Sequence, residues 1–312
     1  MNDVKRSLPL CCLVFLLFLG AGTLSGQRAT IKFGVLPDAD SLPFLVADAE
    51  GLFAAEGVNV QLTTFQSPVE RDAAFQSGSV DGIVGDVLGA AFAADNGFDA
   101  GITSLTDGRY GIVASPHSGI QSLLGLSHQP VGTSTNTIIQ YFIDTALTRS
   151  DVERSAIVYL AVPRMPLRLE MLLNDQLKAA ALPEPLLTVA VARGAKLLAS
   201  SDTIPIAAGV VLFKKTFTGT HLNGLVRFYK AYAKAALTIN ANNDAYRGFL
   251  VQKASFPEEV RKRFVFVTYA QPRLPLKTDV EAVLSWLQTQ KLLKNPLAAA
   301  PLIDARVLEP NR

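Results

Sequence analysis

The chain has 312 residues, 49% of them hydrophobic, and carries 29 basic against 27 acidic side chains. That length accommodates two domains of ordinary size, each with a substantial core. Its near balance of charge, without a basic stripe, argues against nucleic acid as a partner.

The N-terminus stands apart from the rest. Lys5 and Arg6 precede an apolar run from Leu8 to Leu19, and small residues follow at Gly20, Ala21, Gly22, Ser25 and Gly26. This is the three-part layout of a secretory signal, expected over residues 1–26. Its apolar run is too short to span a bilayer, which takes about 20 residues. Removing residues 1–26 takes away Lys5, Arg6 and Asp3, so the net charge falls from +2 to +1. Both cysteines, Cys11 and Cys12, lie inside the apolar run, whereas a lipid-bearing cysteine follows one. The processed chain would therefore have no disulfide, thiol nucleophile or thiolate metal site.

From Ile31 to Leu36, apolar Ile31, Phe33 and Val35 alternate with Lys32 and Gly34, the period of a strand. The loop Pro37-Asp38-Ala39-Asp40-Ser41 leads to a helix with Leu42, Leu45, Val46 and Ala49 on one face, which Asp40 or Ser41 is placed to cap. Gly51 suits the exit, and a strand from Val58 to Thr64 closes a β-α-β unit. Ser67, Pro68 and Glu70 form a capping box for a helix that Gly78 stops. Val80–Val84 is a third strand with Gly85-Asp86 at its carboxyl end, followed by a helix to Gly97 and short strands at Ile102–Leu105 and Tyr110–Ala114.

Pro116 and Gly119 punctuate Ser115–Gly119, which reads as the crossing into a second lobe. There the order repeats. Strand Val131–Thr133 meets Ser134-Thr135-Asn136-Thr137 and helix Ile138–Leu147; strand Ile157–Leu160 precedes Arg164-Met165-Pro166 and a helix. Strand Ala179–Leu182 ends in Pro183-Glu184-Pro185, before a helix that stops at Gly194. Pro205–Phe213 reads as the return crossing and a strand. Leu225, Phe228, Tyr229, Tyr232 and Ala236 then follow helical spacing, and Phe249–Ala254, Pro257–Phe264 and Asp279–Thr289 are shorter helices.

Asp40-Ser41-Leu42-Pro43, Glu50-Gly51-Leu52-Phe53 and Glu56-Gly57-Val58 together resemble the opening of type II solute-binding proteins of ABC importers. The similarity is to the nitrate/sulfonate/bicarbonate and thiamine-precursor (NMT-like) binders. It continues through Gly78-Ser79-Val80-Asp81-Gly82 and Leu182-Pro183-Glu184-Pro185, and covers most of residues 31–290. The resemblance implies an α/β, two-lobed periplasmic-binding-protein type II fold, each lobe a mostly parallel sheet flanked by helices. Lobe 1 would comprise residues 27–114 plus 205–312, with the tail packed on it, and lobe 2 residues 115–204. The function implied is a periplasmic, monomeric binding component that captures a small solute between its lobes and serves an ABC permease in the inner membrane.

Open α/β sheets bind ligands at strand carboxyl ends, which singles out Asp38, Asp40, Ser41, Gln66 and Asp86 in the first lobe. In the second, Ser134, Thr135 and Asn136 begin a helix suited to an anion. Arg164 and Arg168 are ambiguous, Arg164 either reaching the cleft or being a solvated arginine, and Glu184 either binds ligand or holds the hinge. The acidic tips favour a donor-rich or cationic solute such as an aminopyrimidine. The start of the second-lobe helix favours a sulfonate, nitrate or carboxylate; the balance leans towards the nitrogenous solute.

Against catalysis, His117, His128 and His221 are scattered, and neither a G-x-S-x-G turn nor a phosphate-binding G-x-x-x-x-G-K-[ST] loop occurs. No metal or cofactor is expected. Two alternatives share the fold: an enzyme, of the pyrimidine-synthase or menaquinone-pathway kind, and a ligand-presenting sensor.

Secreted protein from the native host should begin between Thr23 and Ala29 and carry no lipid. Intact mass would check this, and a lipid adduct on Cys11 or Cys12 would refute it.

Overall fold

The computed structural model describes residues 30–309, so the expected leader, both cysteines and the cleavage region lie outside the described residues. The first β-α-β unit is β1 (Thr30–Val35), α1 (Leu42–Ala49), the single turn α2 (Leu52–Ala55) and β2 (Asn59–Thr64), parallel to β1. Phe44 and Ala47 join Leu42 and Val46 in the core, while Ala49 is exposed, so the buried face of α1 is rotated from the one its spacing suggests. Then come α3 (Pro68–Ser77), β3 (Gly82–Asp86), α4 (Val87–Asp95) and β4 (Ala100–Leu105). The capping box is formed: Ser67 Oγ accepts from Glu70 N, and Glu70 reaches back to accept from Gln66 N.

The second lobe follows as β5 (Tyr110–Ala114), β6 (Pro130–Thr133), α5 (Ile138–Arg149), β7 (Val158–Ala161), α6 (Met165–Leu173), β8 (Ala179–Pro183), α7 (Leu186–Ala192) and β9 (Lys196–Ser200). The chain returns through β10 (Gly209–Lys214) and ends in α8 (Lys215–Ala241), α9 (Asn243–Gln252), α10 (Val260–Arg263) and α11 (Lys277–Thr289).

The two sheets have corresponding orders, β2-β1-β3-β10-β4 and β7-β6-β8-β5-β9. In each, one strand runs against the others: β10 in the first and β5 in the second. The reversal follows from the crossings. β4 and β9 each end where the lobes meet, so the strand that follows starts there and runs away from the junction. Because β5 pairs with β8 and β9, the first crossing is Thr106–Arg109 rather than Ser115–Gly119. Pro116 and Gly119 mark a turn inside the second lobe. The matching positions of β3 and β8 place Asp86 and Glu184 at equivalent strand ends, as their shared context suggests.

The tail packs on the first lobe. Phe228, fully buried in α8, touches Phe33, Phe44, Phe53 and Phe213 with ring centroids 5.0–5.7 Å apart. The tail also reaches the second lobe. Trp286 Nε1 donates to Asp144 at 2.9 Å with its ring edge-on to Tyr141, and Arg193 pairs with Glu259. Truncating Phe228 to alanine should therefore cost about 3–5 kcal/mol, the range for a buried aromatic. Urea unfolding followed by circular dichroism checks this; a loss below about 1 kcal/mol would contradict the packing.

Candidate functional site

The loop after β1 is folded on itself. Ser41 Oγ accepts from Leu36 N at 3.2 Å, and Asp38 Oδ1 accepts from Ser41 N at 3.0 Å. Ser41 occupies the cap position of α1 without making a side-chain cap bond. Asp40 does not cap either: its Oδ1 accepts from the Thr106 hydroxyl at 2.6 Å and its Oδ2 from Tyr110 at 2.7 Å. Both partners flank the first crossing. A Cβ on Gly108 would lie 2.0 Å from Asp40 Oδ2, so the crossing can pass this carboxylate closely only at a glycine.

These acids are buried, which disfavours their charged forms. Desolvation first, then the charge of Asp40, pushes Asp38 up to about 7. Asp40 is raised by the same burial, although the Thr106 and Tyr110 hydroxyls oppose it.

Asp86 ends β3 and caps α4, with Oδ1 accepting from Gly89 N at 2.7 Å. Its Oδ2 reaches into the other lobe and accepts from Ile138 N at 3.3 Å, in the first turn of α5. Burial raises its pKa, and the nearby charge of Arg71 works against that rise. Arg71 is itself buried, which disfavours its charge, but Asp72, Asp86 and Asp38 outweigh the penalty and hold its proton more tightly.

Two backbone contacts also join the lobes here: Ala39 N to Glu184 O at 3.1 Å and Met165 N to Gln66 O at 3.4 Å. Beside them a recess of about 470 Å³ takes Pro37, Leu45 and Gln66 from the first lobe, Leu169 and Leu186 from the second, and Lys253–Pro257 from the tail. Its walls are largely apolar, with a few polar groups, in the manner of a small-molecule site.

Ser134 is buried at the end of β6, whereas Thr135, Asn136 and Arg164 are exposed. The start of α5 is already engaged: Thr137 Oγ1 accepts from Ile139 N and Gln140 from Asn136 N. Glu184 is fully buried, and its carboxylate faces the crossing. It accepts from Arg109 Nη1 at 2.5 Å and from the backbone and hydroxyl of Thr188, while Arg109 also holds Asp202. Burial raises its pKa, with Thr188 and Arg109 opposing.

Asp38, Ser41, Asp86 and Ser134 are thus all buried near strand ends, Asp86 reaching the other lobe, and Gln66 lines the apolar recess. Asp40 and Glu184 are bonded to residues in or beside the first crossing, and Thr135, Asn136 and Arg164 lie at the surface. Thr106, Gly108, Arg109 and Tyr110 were not singled out by sequence reasoning. The one signal was the Gly-Arg-Tyr run, too short to read as a crossing. Among the described residues no group of three His, Cys, Asp or Glu is placed to hold a metal, and no helix is long and apolar enough to cross a membrane.

Residues 25–119 match the model of the NMT1-like family. The chain has no match among curated proteins. Solved structures are similar along nearly its whole length. The alkanesulfonate-binding protein SsuA from Xanthomonas axonopodis pv. citri, bound to MOPS, matches with a TM-score of 0.78 at 16% identity, over 89% of this chain and 99% of that one. A ligand-binding component of an ABC-type import system from Staphylococcus aureus gives 0.77 at 14% identity, over 91% and 99%. The desulfurization enzyme DszB gives 0.65 at 15% identity, over 91% and 98%. The fold is the two-lobed α/β periplasmic-binding-protein fold, and the NMT1-like match runs from the start of the first lobe through β5 of the second.

The raised pKa of Asp38 makes stability depend on pH with a definite sign. The folded protein keeps this proton between the ordinary carboxylate range and about 7, so the associated stability is complete at low pH and lost as pH rises through about 7. Asn at this position imitates the protonated form. Thermal melts at pH 5 and pH 8 should show a smaller drop for Asp38→Asn than for wild type. Equal drops would mean that Asp38 ionises normally. Asp40, Asp86 and Glu184 shift in the same direction, so the difference between the two proteins is the quantity to read.

Proposed function

We propose that this chain is the solute-binding component of an ABC-type importer. It captures a small organic or anionic solute between its lobes by hinge closure and presents the closed form to a permease in the inner membrane. The observation that carries the reading is Asp86. It ends the central strand of one lobe, yet its second oxygen is satisfied by a backbone N–H at the helix start of the other. A group in that position senses whether the lobes are together, and the neighbouring recess, lined by both lobes, gives a solute contacts that exist only on closure. The importer proteins among the similar structures support the same reading.

In this mechanism Asp40 and Glu184 fix the crossings while the strand ends approach one another. Secretion, implied by the N-terminal layout, places the protein where such a component works. We take the working form to be a monomer, since its closing faces must stay free.

An enzyme on this fold is the second reading. The desulfurization enzyme DszB shares the architecture, and Asp38, held near 7, can exchange a proton close to neutral pH. The absence of cysteine from Gln27 onward argues against thiol chemistry.

Small-angle scattering, with candidate solutes first ranked by thermal shift, tests the proposal. A bound solute should shrink the radius of gyration of wild type, and Asp86→Ala should bind it more weakly by about 1.5–3 kcal/mol. Tight binding with no compaction, together with chemical turnover of the solute, would replace transport by catalysis.

A further inference from the structure

Arg168 is a fully buried arginine on α6. Its Nη1 donates to Ser134 Oγ at 2.7 Å and to the Val162 carbonyl at 3.0 Å. Its Nε and Nη2 are buried and have no acceptor among the described residues. Guanidinium carries five donors and no acceptor, and it stays charged in proteins, so it cannot escape this burial by losing its proton.

Two other arginines of low exposure, Arg71 and Arg109, are differently placed. Arg71 has Asp72, Asp86 and Asp38 around it, and Arg109 has Glu184 and Asp202. Among the described residues no acidic side chain offsets the charge of Arg168, and burial pulls its pKa down to about 9. A buried charge without a partner is strongly unfavourable, and buried charges in proteins are as a rule paired.

Its position says where a counter-ion would come from. Ser134 and Val162 follow the carboxyl ends of β6 and β7, where such sheets take ligands. The two contacts of the second lobe with Gln66 and Asp86 lie close by in sequence: Met165 is three residues before Arg168, and Ile138 is four after Ser134. The start of α5, the other candidate anion site, has its Asn136, Ile138 and Ile139 N–H groups taken by Gln140, Asp86 and Thr137.

We propose that Arg168 is the anion receptor of the interlobe site, binding a sulfonate-, carboxylate- or phosphate-like oxyanion through Nε and Nη2 while Ser134 fixes the guanidinium plane. Two adjacent guanidinium donors suit the paired oxygens of such groups. This rests on the solute-binding reading and reverses the lean towards a nitrogenous solute: the acids of the first lobe serve Arg71, α4 and the crossings, while the uncompensated charge is positive.

The assignment separates function from stability. A receptor arginine weakens the ligand-free fold, whereas a structural arginine supports it. The purified protein and its Arg168→Met and Arg168→Lys variants would be melted in sulfonate-free Tris buffer, alone and with ethanesulfonate, propionate, inorganic phosphate or 4-aminopyrimidine. Calorimetry would follow for any probe that shifts the melt. Without a probe, Arg168→Met should melt at or above the wild-type temperature, because apolar groups often replace buried charges without loss. At least one anion should stabilise wild type, and its affinity should fall about tenfold to hundredfold in Arg168→Met. Arg168→Lys, which keeps the charge without the paired donors, should fall in between and carries the affinity test if the methionine variant does not fold.

A lower melting temperature for Arg168→Met with unchanged anion affinity would make the residue structural and overturn the assignment. Binding of 4-aminopyrimidine alone, equally to wild type and Arg168→Met, would overturn it while leaving the solute-binding function standing. No response to any probe, with no compaction in scattering, would count against both.

Discussion

Asp40 stands between the lobes with both carboxylate oxygens taken by hydroxyls on either side of the crossing, Thr106 and Tyr110. The crossing passes it at Gly108, where any side chain would collide with the carboxylate. Much of the interlobe layer depends on this contact. It anchors the loop that carries Asp38 and Ser41 against the second lobe, and the adjacent Ala39 N–H then reaches Glu184 O. Tyr269, from the far end of the chain, donates its hydroxyl to Ala39 O and holds the loop from the tail side. A buried acid whose oxygens are both satisfied by hydroxyls is a strong positional constraint, because losing either partner leaves a desolvated polar atom.

Equivalent positions in the two lobes are put to different uses. Asp86 ends, and Glu184 directly follows, the central strands of corresponding sheets, so the topology treats them alike. Asp86 looks across the junction to α5, whereas Glu184 looks along its own lobe to Arg109 and Thr188. The difference lies in who answers each carboxylate. An arginine on the crossing pairs with Glu184, while the second oxygen of Asp86 is answered by a backbone N–H of the other lobe. Repetition of architecture therefore did not repeat chemistry.

The regular elements were legible because local rules sufficed. Alternation marked β1, Ser67-Pro68 with Glu70 marked the start of α3, and the spacing of Leu225, Phe228, Tyr229 and Tyr232 marked α8. The crossing was misread because proline and glycine advertise turns of every kind, and only strand pairing tells which turn changes lobe. β9 went unread, being five residues whose partner is a strand far back in sequence. For the site, strand ends located the layer containing Asp38, Asp86 and Ser134, but not the direction of each side chain. Arg168 is the sharpest case. An arginine on an amphipathic helix reads as solvated, and its burial becomes visible only when Gly132, Ser134 and Val162 are folded around it.

The place of β10 between β3 and β4 also governs the order in which the molecule can be assembled. β3 and β4 have no direct ladder with one another; each pairs with β10. As the chain emerges from its N-terminus, the sheet of the second lobe is complete once β9 has appeared at Ser200, while the first sheet still lacks its middle. The lobe begun first is therefore finished last. Until Lys214 has emerged, the paired edges of β3 and β4 stand open, and open edges invite mispairing. A stall within that interval would expose an unfinished sheet beside a complete one, which makes the stretch between Ser200 and Lys214 the vulnerable period of this chain's biogenesis.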